Sequence, residues 1–564
     1  MMTKFYRLLI VLFSLIVCFY VFGQFATAAY QNHVCPQGKP WNVPDPDLPE
    51  DNFLPAFPGA EGYGAMAKGG RGDGSQTPRV FVIDNLADSG PGTLRECIQA
   101  SGPRFCIFTV SGYIWLESSL KIENPYITID GQTAPGDGIT IARQPLDIKT
   151  DDVIIRYLRV RLGDWECQLD ENDDTIEISD SKRVILDHVS ASWSIDETLS
   201  VVEDKTTDNI TIQWSFITES LNNSCHDEGE HGMGSILGGD MERYQGITVH
   251  HSLYAHHRNR SPKFASESTP PSPPIFDFRN NVIYNWQTNS AYTSSDQCTM
   301  INYVGNYLKY GPNTPGKKRT TALASGGIGT NVYLSNNYLH DLGDIGWQMI
   351  EGDATKLGSA IPVYSVTTTD PQTAYTQVLA QAGASLPNRD EVDYRIVNEV
   401  RNRGGRIIDS QNQVGGWPNL NTGTPSPDSD GDGMPDYWED KYGLNKNNSN
   451  DNTIDSDGDG YLNIEEYLNG TVPAQPTPTP GGCKPCPGGS YVPRNTTSFN
   501  CDTDGRQLED FGNWVRQYRD YLYIWSNIPA ELLYGDYNCD NRISPLDHSL
   551  WYSNWCPTFY TNCG

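Results

Sequence analysis

The segment GITVHHSLYAHHRNRSPKF, residues 246–264, joins a short β-branched strand, a turn and a cluster of basic residues. Its strand-and-turn pattern recurs along the chain, with the turn residue at His188, Ser215, Ser252, Asn281, Asn306 and Asn337. Successive turns are 27, 37, 29, 25 and 31 residues apart. Unequal spacings of this size, with strands and almost no helix between them, are typical of a solenoid.

The repeat pattern also separates the classes of solenoid and repeat protein. Leucine-rich repeats would show regularly spaced leucines, and propeller blades would be longer than these spacings. Short strands and loops of unequal length favour an all-β solenoid, a right-handed parallel β-helix, over residues 55–420. We expect the turn Ser and Asn side chains to stack between coils. Helical patterns predict a short helix in 91–100 and a cap over the end of the solenoid in 371–406.

The amino-terminal residues 1–28 have the features of a secretory signal peptide. Lys4 and Arg7 precede an apolar run, and small residues follow it at 26–28. The run is short and no later stretch is apolar enough to cross a bilayer, so we expect a secreted protein without a membrane partner. A formal net charge of −30 argues against nucleic acid as a partner. Residues 29–54 form a Pro- and Asp-rich lead-in.

The cysteines are divided between two parts of the chain. Of 13, Cys18 lies in the signal peptide, six more lie before residue 300 and six lie after residue 480. Even counts in an exported chain favour disulfides, and Cys97 and Cys106 bracket a short loop that they can close. The other pairings stay open. Acceptor sites for N-glycosylation occur at Asn209, Asn222, Asn447, Asn469 and Asn495.

Residues 428–470 contain two acidic loops in the same register. In each, oxygen-bearing side chains alternate, a glycine provides the bend and a Glu closes the loop at position 12, which is the arrangement that Ca²⁺ requires. The residues of the first loop are Asp428, Asp430, Asp432, Asp436 and Glu439, and those of the second are Asp455, Asp457, Asp459, Asn463 and Glu466. The shared register predicts two structural calcium sites, since a solvated acidic linker would not keep it.

The carboxyl-terminal part begins with a Pro- and Thr-rich segment at 471–482, which predicts an extended linker. Residues 483–564 are Cys-rich and carry a duplicated motif, SFNCDTDGRQLED (498–510) and DYNCDNRISPLDH (536–548). The second copy offers four calcium ligands, Asp536, Asn538, Asp540 and Asp547. Two half-EF loops resemble a dockerin, which implies a cohesin-like or surface docking partner. A disulfide-stapled module without such a partner is the alternative.

Carboxylates also precede two neighbouring strands of the solenoid. They are Asp173 and Asp174 before the first strand, and Asp196 and Glu197 before the next. Positions one coil apart in a parallel β-helix lie about 5 Å apart, so these side chains should converge. Asp164 lies in the loop that leads to the first pair. Converging carboxylates need a cation, and oxygen ligands predict Ca²⁺. Arg260 follows two coils later, so acids and arginines on one face predict a groove for an anionic sugar chain.

Several stretches resemble the polysaccharide lyase family 1 pectate lyases: FPGAEGYGA, ITIDGQTAPGDGITI, VIIRYLRVR, VILDHVSASWSIDETLSV and NRSPKF with FDFRNNVIYNW. The resemblance covers about residues 55–420 and implies a β-helix that cleaves α-1,4-polygalacturonate by calcium-dependent β-elimination. It implies that Asp174 and Asp196 bind the cation. It also implies that Arg260, which begins an Arg-x-Pro motif, is the catalytic base.

Two positions depart from that family pattern: Ser200 replaces a calcium-binding aspartate, and Ala265 replaces a second arginine. Asp164, Asp173 or Glu197 would then complete the calcium site. The side chains expected to contact the substrate are Lys263, Arg279, Arg258 and His257. A guanidinium is a poor base near neutral pH, and His256 or His257 would be easier bases there.

Two other functions stay open from the residues alone. A β-helix hydrolase would need two acids about 6.5–9.5 Å apart if it inverts. Asp151-Asp152, Asp173-Asp174 and His231 offer such pieces, though not in the order of a polygalacturonase. A non-catalytic β-helix that only binds polysaccharide is the second alternative. Chelation of calcium and the ultraviolet absorbance of an unsaturated product would separate the three.

Overall fold

The computed structural model describes residues 53–165, 167, 173–202, 207–238, 246–266, 274–294, 298–327 and 329–473. Within these ranges 29 strands form three parallel sheets, which we call A, B and C. Each coil runs from sheet A to C to B and returns to A, so the predicted parallel β-helix is confirmed. The signal peptide and the dockerin-like module with Asp536, Asn538, Asp540 and Asp547 lie outside the described residues.

The strands are numbered in chain order. Sheet A contains β1 (Arg79–Ile83), β2 (Arg104–Phe108), β5 (Ile127–Asp130), β8 (Val153–Arg156), β11 (Lys182–Asp187), β14 (Asp208–Gln213), β17 (Gly246–His250), β20 (Ile275–Arg279), β23 (Thr299–Val304), β26 (Thr330–Ser335) and β29 (Thr355–Lys356). Sheet B contains β4 (Leu120–Ile122), β7 (Leu146–Ile148), β10 (Ile176–Ile178), β13 (Leu199–Val201), β16 (Ile236–Leu237), β19 (Lys263–Phe264), β22 (Ala291–Thr293), β25 (Leu323–Ala324) and β28 (Ile350–Glu351). Sheet C contains β3 (Gly112–Trp115), β6 (Ile139–Ala142), β9 (Arg159–Arg161), β12 (Ser190–Ser192), β15 (Phe216–Thr218), β18 (Leu253–Ala255), β21 (Val282–Tyr284), β24 (Tyr307–Lys309) and β27 (Tyr338–Leu339).

The turn from sheet A to sheet C carries the predicted ladder of polar side chains. The backbone N–H of Ser252 donates to Asn281 Oδ1 at 2.9 Å, and that of Asn281 donates to Asn306 Oδ1 at 2.9 Å. Asn306 donates in the same way to Asn337 Oδ1 at 2.9 Å. Each side chain therefore satisfies a buried backbone donor of the preceding coil, which explains why Ser and Asn recur at this position.

His188 is one residue out of the register that the sequence predicted. Val189, not His188, occupies the ladder position, because its N–H donates to the Ser215 hydroxyl at 3.1 Å. His188 instead has a φ of 53°, and Trp214 and His251, which precede the next two ladder residues, also have positive φ. A left-handed residue thus precedes each of these ladder positions and turns the chain into sheet C.

Two helices that the sequence assigned to the end of the solenoid lie along its side. Helices α2 (Pro371–Gln381) and α3 (Glu391–Asn402) pack their apolar residues on the outer face of sheet C. That face carries Phe216, Leu253 and Val282, all fully buried. The helices were predicted correctly, but their location was not, because apolar residues on the outer face of sheet C need a cover of their own.

Helix α1 (Leu94–Gln99) is the predicted short helix before the first complete coil, and the Cys97–Cys106 disulfide joins it to β2. Helices α4 (Asp436–Tyr442) and α5 (Asn463–Asn469) follow the two acidic loops. Their apolar side chains pack against Val80 and Phe105 of sheet A. None of the described helices is long and apolar enough to span a membrane.

Candidate functional site

The turn from sheet C to sheet B gathers the chemically active residues of successive coils. Isolated parallel bridges pair Glu197 with Met233 and Met233 with Asn259, directly before β13, β16 and β19. Residues of three consecutive coils are thereby stacked in one column. Arg260 lies next to the last of these bridges, two coils beyond Asp196, as the sequence predicted.

Three carboxylates converge at this turn, and we call Asp174, Asp196 and Glu197 the turn cluster. One oxygen of each lies within 4.8 Å of the others. The backbone N–H of Glu197 donates to Asp174 Oδ1 at 2.9 Å, which joins the two coils. Burial, and then the charge of Asp196, raise the pKa of Asp174 well above its usual value. The cluster is therefore short of positive charge, and a cation would stabilise its ionised form.

Arg260 faces the turn cluster from the far side of the column. Its Nη1 pairs with the Glu197 carboxylate and lies 3.9 Å from Asp196 Oδ1. The side chain is 18% exposed, so its guanidinium can be reached from solvent. A Cβ on Gly234 would lie 2.3 Å from the carbonyl oxygen of Arg260, so only glycine permits this close approach. The backbone of the neighbouring coil thus sets the position of Arg260.

Two histidines approach Asp196 from the loop between β15 and β16. His231 Nε2 lies 2.9 Å from Asp196 Oδ1, and His226 Nε2 lies 3.6 Å from Oδ2. The two rings are stacked, with centroids 3.8 Å apart and 3° between their planes. The N–H of Glu228 donates to His226 Nδ1, which leaves the proton of a neutral ring on Nε2, towards Asp196. A Cys167–Cys225 disulfide ties this loop to the corresponding turn two coils earlier, between β9 and β10.

The comparisons with known proteins agree with this geometry. The chain is 35% identical over 437 residues to the probable pectate lyase C of Aspergillus fumigatus, covering 75% of this chain and 94% of that protein. The corresponding protein of Emericella nidulans is 35% identical over 439 residues, with 74% and 93% covered. The chain belongs to the pectate lyase family. The sequence prediction of a lyase is confirmed at this level.

Other comparisons add less to the assignment of the pectate lyase family. No family model matches the chain. A solved pectate lyase bound to a hexasaccharide shares 14% identity and a TM-score of 0.44, covering 60% of this chain and 99% of that one. The cedar pollen allergen jun a 1 shares 16% identity and a TM-score of 0.43, covering 57% and 92%. With TM-scores below 0.5, these likenesses carry none of the argument.

Arg258 and Lys263 lie two and three residues from Arg260 in the sequence. Both side chains are half-buried. Arg258 Nη2 lies 3.3 Å from Glu230 Oε2, and its Nη1 donates to the Glu230 carbonyl. Lys263 begins β19, directly after the turn that carries Arg260, and pairs with Ile236 of β16. Both remain candidates for contact with an anionic substrate of a pectate lyase.

Arg279 and His257 were predicted to contact the substrate, and the structure places both elsewhere. Arg279 ends β20 in sheet A, where its Nε donates to both oxygens of Asp277. His257 is 1% exposed, and its ring nitrogens lie 2.7 Å from the Ser220 hydroxyl and 2.8 Å from the Ile217 carbonyl. Burial lowers the pKa of His257 to about 3. We therefore omit both residues from the site.

His256 is also unsuited to the role of base that the sequence left open. It is fully buried, with Nε2 3.2 Å from Glu399 of α3 and Nδ1 2.9 Å from Asn285. His256 is thus enclosed between sheet C and helix α3. Both histidines that were weighed as bases are thus enclosed, whereas Arg260 faces the turn cluster.

Asp164 and Asp173 are not part of the turn cluster. The carboxylate of Asp164 accepts hydrogen bonds from Ser410 Oγ and Gln411 Nε2, both at 2.6 Å. Asp173 contributes its backbone carbonyl, which accepts from the Asp196 N–H at 3.3 Å. Asp151 and Asp152, considered for a hydrolase, both bind the guanidinium of Arg183. Of the two acid pairs considered for a hydrolase, Asp151 and Asp152 are thus committed to a structural contact.

The sequence did not assign His226 and His231 to the cation site. They lie within SCHDEGEHG (224–232), the loop that makes this repeat 37 residues long. The extra length is the only signal, because a loop of this size between sheets C and B has room to fold over the column. Ser200, the predicted departure, is fully buried, and its hydroxyl has no hydrogen-bond partner among the described residues.

Each of the two acidic loops forms a further carboxylate cluster. We call these loops loop 1 (428–439) and loop 2 (455–466). In loop 1, one oxygen each of Asp428, Asp430 and Asp432 lies within 4.8 Å of the others. Glu439 is fully buried, and no hydrogen-bond donor among the described residues reaches either of its carboxylate oxygens. Burial, and then Asp432, raise the pKa of Glu439 to about 8.

Loop 2 repeats this arrangement. Asp455, Asp457 and Asp459 are exposed and also gather within 4.8 Å. Glu466 is fully buried, and both of its carboxylate oxygens lack a hydrogen-bond partner within the described part of the chain. Burial, and then Asp457, raise the pKa of Glu466 to about 8. Asp436 differs from the prediction for loop 1, because its carboxylate accepts from the N–H and hydroxyl of Ser429.

Proposed function

We propose that the chain cleaves α-1,4-polygalacturonate by calcium-assisted β-elimination at the C-to-B turn. The supporting observation is the convergence, within one column of stacked turns, of three carboxylates and one partly exposed arginine. The curated relatives that carry the name pectate lyase support the same reaction. In this proposal the turn cluster holds the cation and Arg260 is the catalytic base.

The residues of the turn cluster fit a hard divalent cation. Asp174, Asp196 and Glu197 offer carboxylate oxygens within 4.8 Å of one another, which is the ligand type that Ca²⁺ prefers. When bound there, Ca²⁺ would act as a Lewis acid towards the substrate carboxylate. His226 and His231 hold Asp196 in a fixed orientation, as polar neighbours of metal ligands commonly do.

Arg260 is proposed to remove the proton at C5 of a galacturonate unit, which lies α to the carboxylate. The electron pair of the C5–H bond forms the C4–C5 double bond. The C4–O bond breaks, and the leaving oxygen takes a proton from water. Glu197 stabilises the charged guanidinium while it faces Arg260. If Glu197 served as a cation ligand, it would no longer pair with Arg260, and the guanidinium would be free to face the substrate.

Binding of the substrate needs positive charge at the site, because the whole chain carries a formal net charge of −30. Arg258 and Lys263 flank Arg260 and would bind the carboxylates of neighbouring sugar units. Arginine suits this role because its planar group binds a carboxylate through two parallel hydrogen bonds. A local cationic cluster also concentrates an anionic chain at the groove.

The decisive test is an assay of the full chain on polygalacturonate with calcium and with EDTA. We expect ultraviolet absorbance of the 4,5-unsaturated product to rise with calcium and to stop with EDTA. Reducing ends that form without this absorbance, and that persist in EDTA, would show a hydrolase. Retention of the polymer without shortening would show a binding protein. Either result would overturn the proposal.

We also propose that loops 1 and 2 bind Ca²⁺ as structural sites. The support is the pair of fully buried glutamates, Glu439 and Glu466, whose oxygens lack donors among the described residues. An ionised carboxylate in such a position is strongly unfavourable unless a cation is bound. Calorimetric titration of the chain, after removal of calcium, tests this proposal against the double variant Glu439→Gln/Glu466→Gln.

Export of the chain is part of the same proposal. The disulfides Cys97–Cys106 and Cys167–Cys225 support it, because such bonds persist in oxidising compartments. Amino-terminal sequencing of the mature protein should begin after residue 28. Docking of residues 483–564 to a cohesin-like or surface partner remains a prediction from the sequence, and binding of this segment to a panel of cohesins tests it.

A further inference from the structure

Asp451 lies between loops 1 and 2, outside both motifs, yet its side chain points into loop 1. One oxygen each of Asp432, Glu439 and Asp451 lies within 4.8 Å of the others, and all three residues are buried. Asp451 is 7% exposed, and its Oδ1 has no hydrogen-bond partner among the described residues. Its Oδ2 accepts from the N–H of Asn445 at 3.1 Å, which fixes the carboxylate. The free oxygen is therefore aimed into a cluster of acids.

The backbone of the same residue is joined to loop 2. Asn463, a predicted ligand of loop 2, donates from Nδ2 to the Asp451 carbonyl at 2.7 Å. The Asn463 Oδ1 is buried and has no hydrogen-bond partner in the described structure, so it remains available to a cation. In the other direction, Asn452 Nδ2 donates to the Asp432 carbonyl of loop 1 at 2.8 Å. Residues 451–452 and Asn463 thus connect the two clusters in both directions.

The loops are also in contact with sheet A. Gly433 is the bend of loop 1, and a Cβ there would lie 2.5 Å from Ile107 Cδ1 and 2.9 Å from Val80 Cγ1. Met434 and Trp438 pack in one buried cluster with Phe105 of β2. The conformation of loop 1 and its packing on β1 and β2 are therefore inseparable, since no side chain fits between the bend and the sheet.

We propose that Asp451 is a ligand of the loop 1 cation and couples it to loop 2, so that two calcium ions bind as one unit that clamps the repeats onto β1 and β2. This inference rests on the proposed calcium binding by the loops. The buried, unpartnered oxygens of Glu439, Glu466 and Asp451 are the observations that point to a ligand. The hydrogen bonds of residues 451, 452 and 463 are those that point to coupling.

The proposal is tested by calcium titration of the full chain carrying Asp451→Asn. The wild-type chain should take up two more ions than the double variant Glu439→Gln/Glu466→Gln, and Asp451→Asn should weaken this uptake at least about tenfold. Asp440→Asn is the matched control, since Asp440 is exposed on α4 and pairs with Lys446. It should bind calcium as the wild type does.

Two results distinguish a wrong role for Asp451 from a failure of loops 1 and 2 to bind calcium at all. Equal uptake by the wild type and the double variant would show that the loops bind no calcium. Normal uptake by the wild type together with unchanged affinity in Asp451→Asn would overturn the role of Asp451 alone. The single variant Glu466→Gln should also weaken loop 1, which Glu466 does not contact. Independent affinities would overturn the coupling.

Hydrogen–deuterium exchange tests the clamp in the wild-type chain, so the main measurement needs no substitution. Removal of calcium from the wild-type chain should speed exchange in β1 and β2, while β23 and β26 should be unchanged. In the double variant Glu439→Gln/Glu466→Gln, exchange in β1 and β2 should no longer respond to calcium. Unchanged exchange of β1 and β2 in the wild type, despite uptake of calcium by the loops, would overturn the clamp.

Discussion

The turn cluster and loops 1 and 2 are all groups of converging carboxylates, but the protein offsets their negative charge in different ways. Beside the turn cluster lie Arg260, His226 and His231, all within 4.0 Å of a carboxylate oxygen. In loops 1 and 2 the buried Glu439 and Glu466 have no hydrogen-bond donor among the described residues. Side chains of the protein offset part of the negative charge of the turn cluster, whereas no donor among the described residues does so for Glu439 and Glu466.

This difference matches two different uses of a cation. At the turn cluster, a cation would compete with Arg260 for the carboxylate of Glu197, so its binding there would be readily reversible and could accompany turnover. In the loops nothing from the protein competes for Glu439 or Glu466, so a cation should remain bound and support the fold.

Replacement of Arg260 by Ala should remove the proposed base while leaving the turn cluster in place. We expect kcat on polygalacturonate to fall by about 10²–10⁴-fold, which is the usual contribution of a general base. The measurement is the initial rate of ultraviolet absorbance at saturating calcium. Arg401→Ala, which alters an exposed residue of α3, is the control and should keep full activity. Activity in Arg260→Ala close to that of the control would refute the assignment.

Asp390 is a buried carboxylate of a third kind, since arginine side chains of the protein offset its negative charge without any cation. It pairs with Arg161 and lies 3.6 Å from Arg159, all three fully or nearly fully buried. Burial opposes ionisation, but these arginines outweigh it and hold the pKa of Asp390 below its usual value. Asp390→Asn should cost about 3–5 kcal/mol of stability, because the buried guanidinium groups of Arg159 and Arg161 lose one of the two carboxylates beside them.

Unfolding of the full chain in guanidinium chloride measures this loss of stability. Glu391→Gln is the matched control, since Glu391 is the exposed neighbour of Asp390 at the start of α3. Calcium should not restore the stability of Asp390→Asn, because Asp390 lies at none of the proposed calcium sites. Equal stability of the two variants would show that the arginines are solvated instead.

Much of the fold could be predicted because the period of the turns is a local property of the chain. Ser252, Asn281 and Asn306 recur where each coil leaves sheet A, and each satisfies a backbone donor of its neighbour. The location of α2 and α3 was not predicted, because short strands do not reveal which of their faces is covered. Phe216 and Leu253 held the signal, as apolar residues that the helices bury.

The site was predicted in part for the same reason. Arg260 and Asp196 lie at turns whose register follows from the repeat, and the structure brings them together. Arg279 was misplaced because its position in the sequence does not tell which corner of the coil it occupies. Asp451 was missed because it belongs to no motif, and only the folded repeat directs its oxygen into loop 1.

Neutralising one glutamate at each site should have opposite effects in EDTA. Glu197→Gln removes the partner of Arg260 and should lower stability by about 1–3 kcal/mol. Glu439→Gln removes an uncompensated carboxylate and should raise the stability of the repeats, most clearly at about pH 9, where the wild-type group is ionised. Thermal unfolding of the two variants beside the wild type measures both. A loss of stability in EDTA for Glu439→Gln would contradict the contrast between the sites.

Ser200→Asp makes the turn cluster resemble the loops more closely, and it should have the smallest effect. Ser200 is fully buried and pairs through β13 with Glu177 of β10, so its side chain lies beside that of Asp174. A fourth carboxylate should raise the calcium affinity of the site by about tenfold, because affinity follows the number of charged ligands. A loss of stability should appear in EDTA, where the added charge has no partner.

The isosteric variant Ser200→Asn separates the effect of charge from that of volume. The measurement is the calcium concentration needed for half-maximal activity. If both variants shift that concentration equally, the turn cluster is not limited by charge, and its difference from the loops lies in geometry instead.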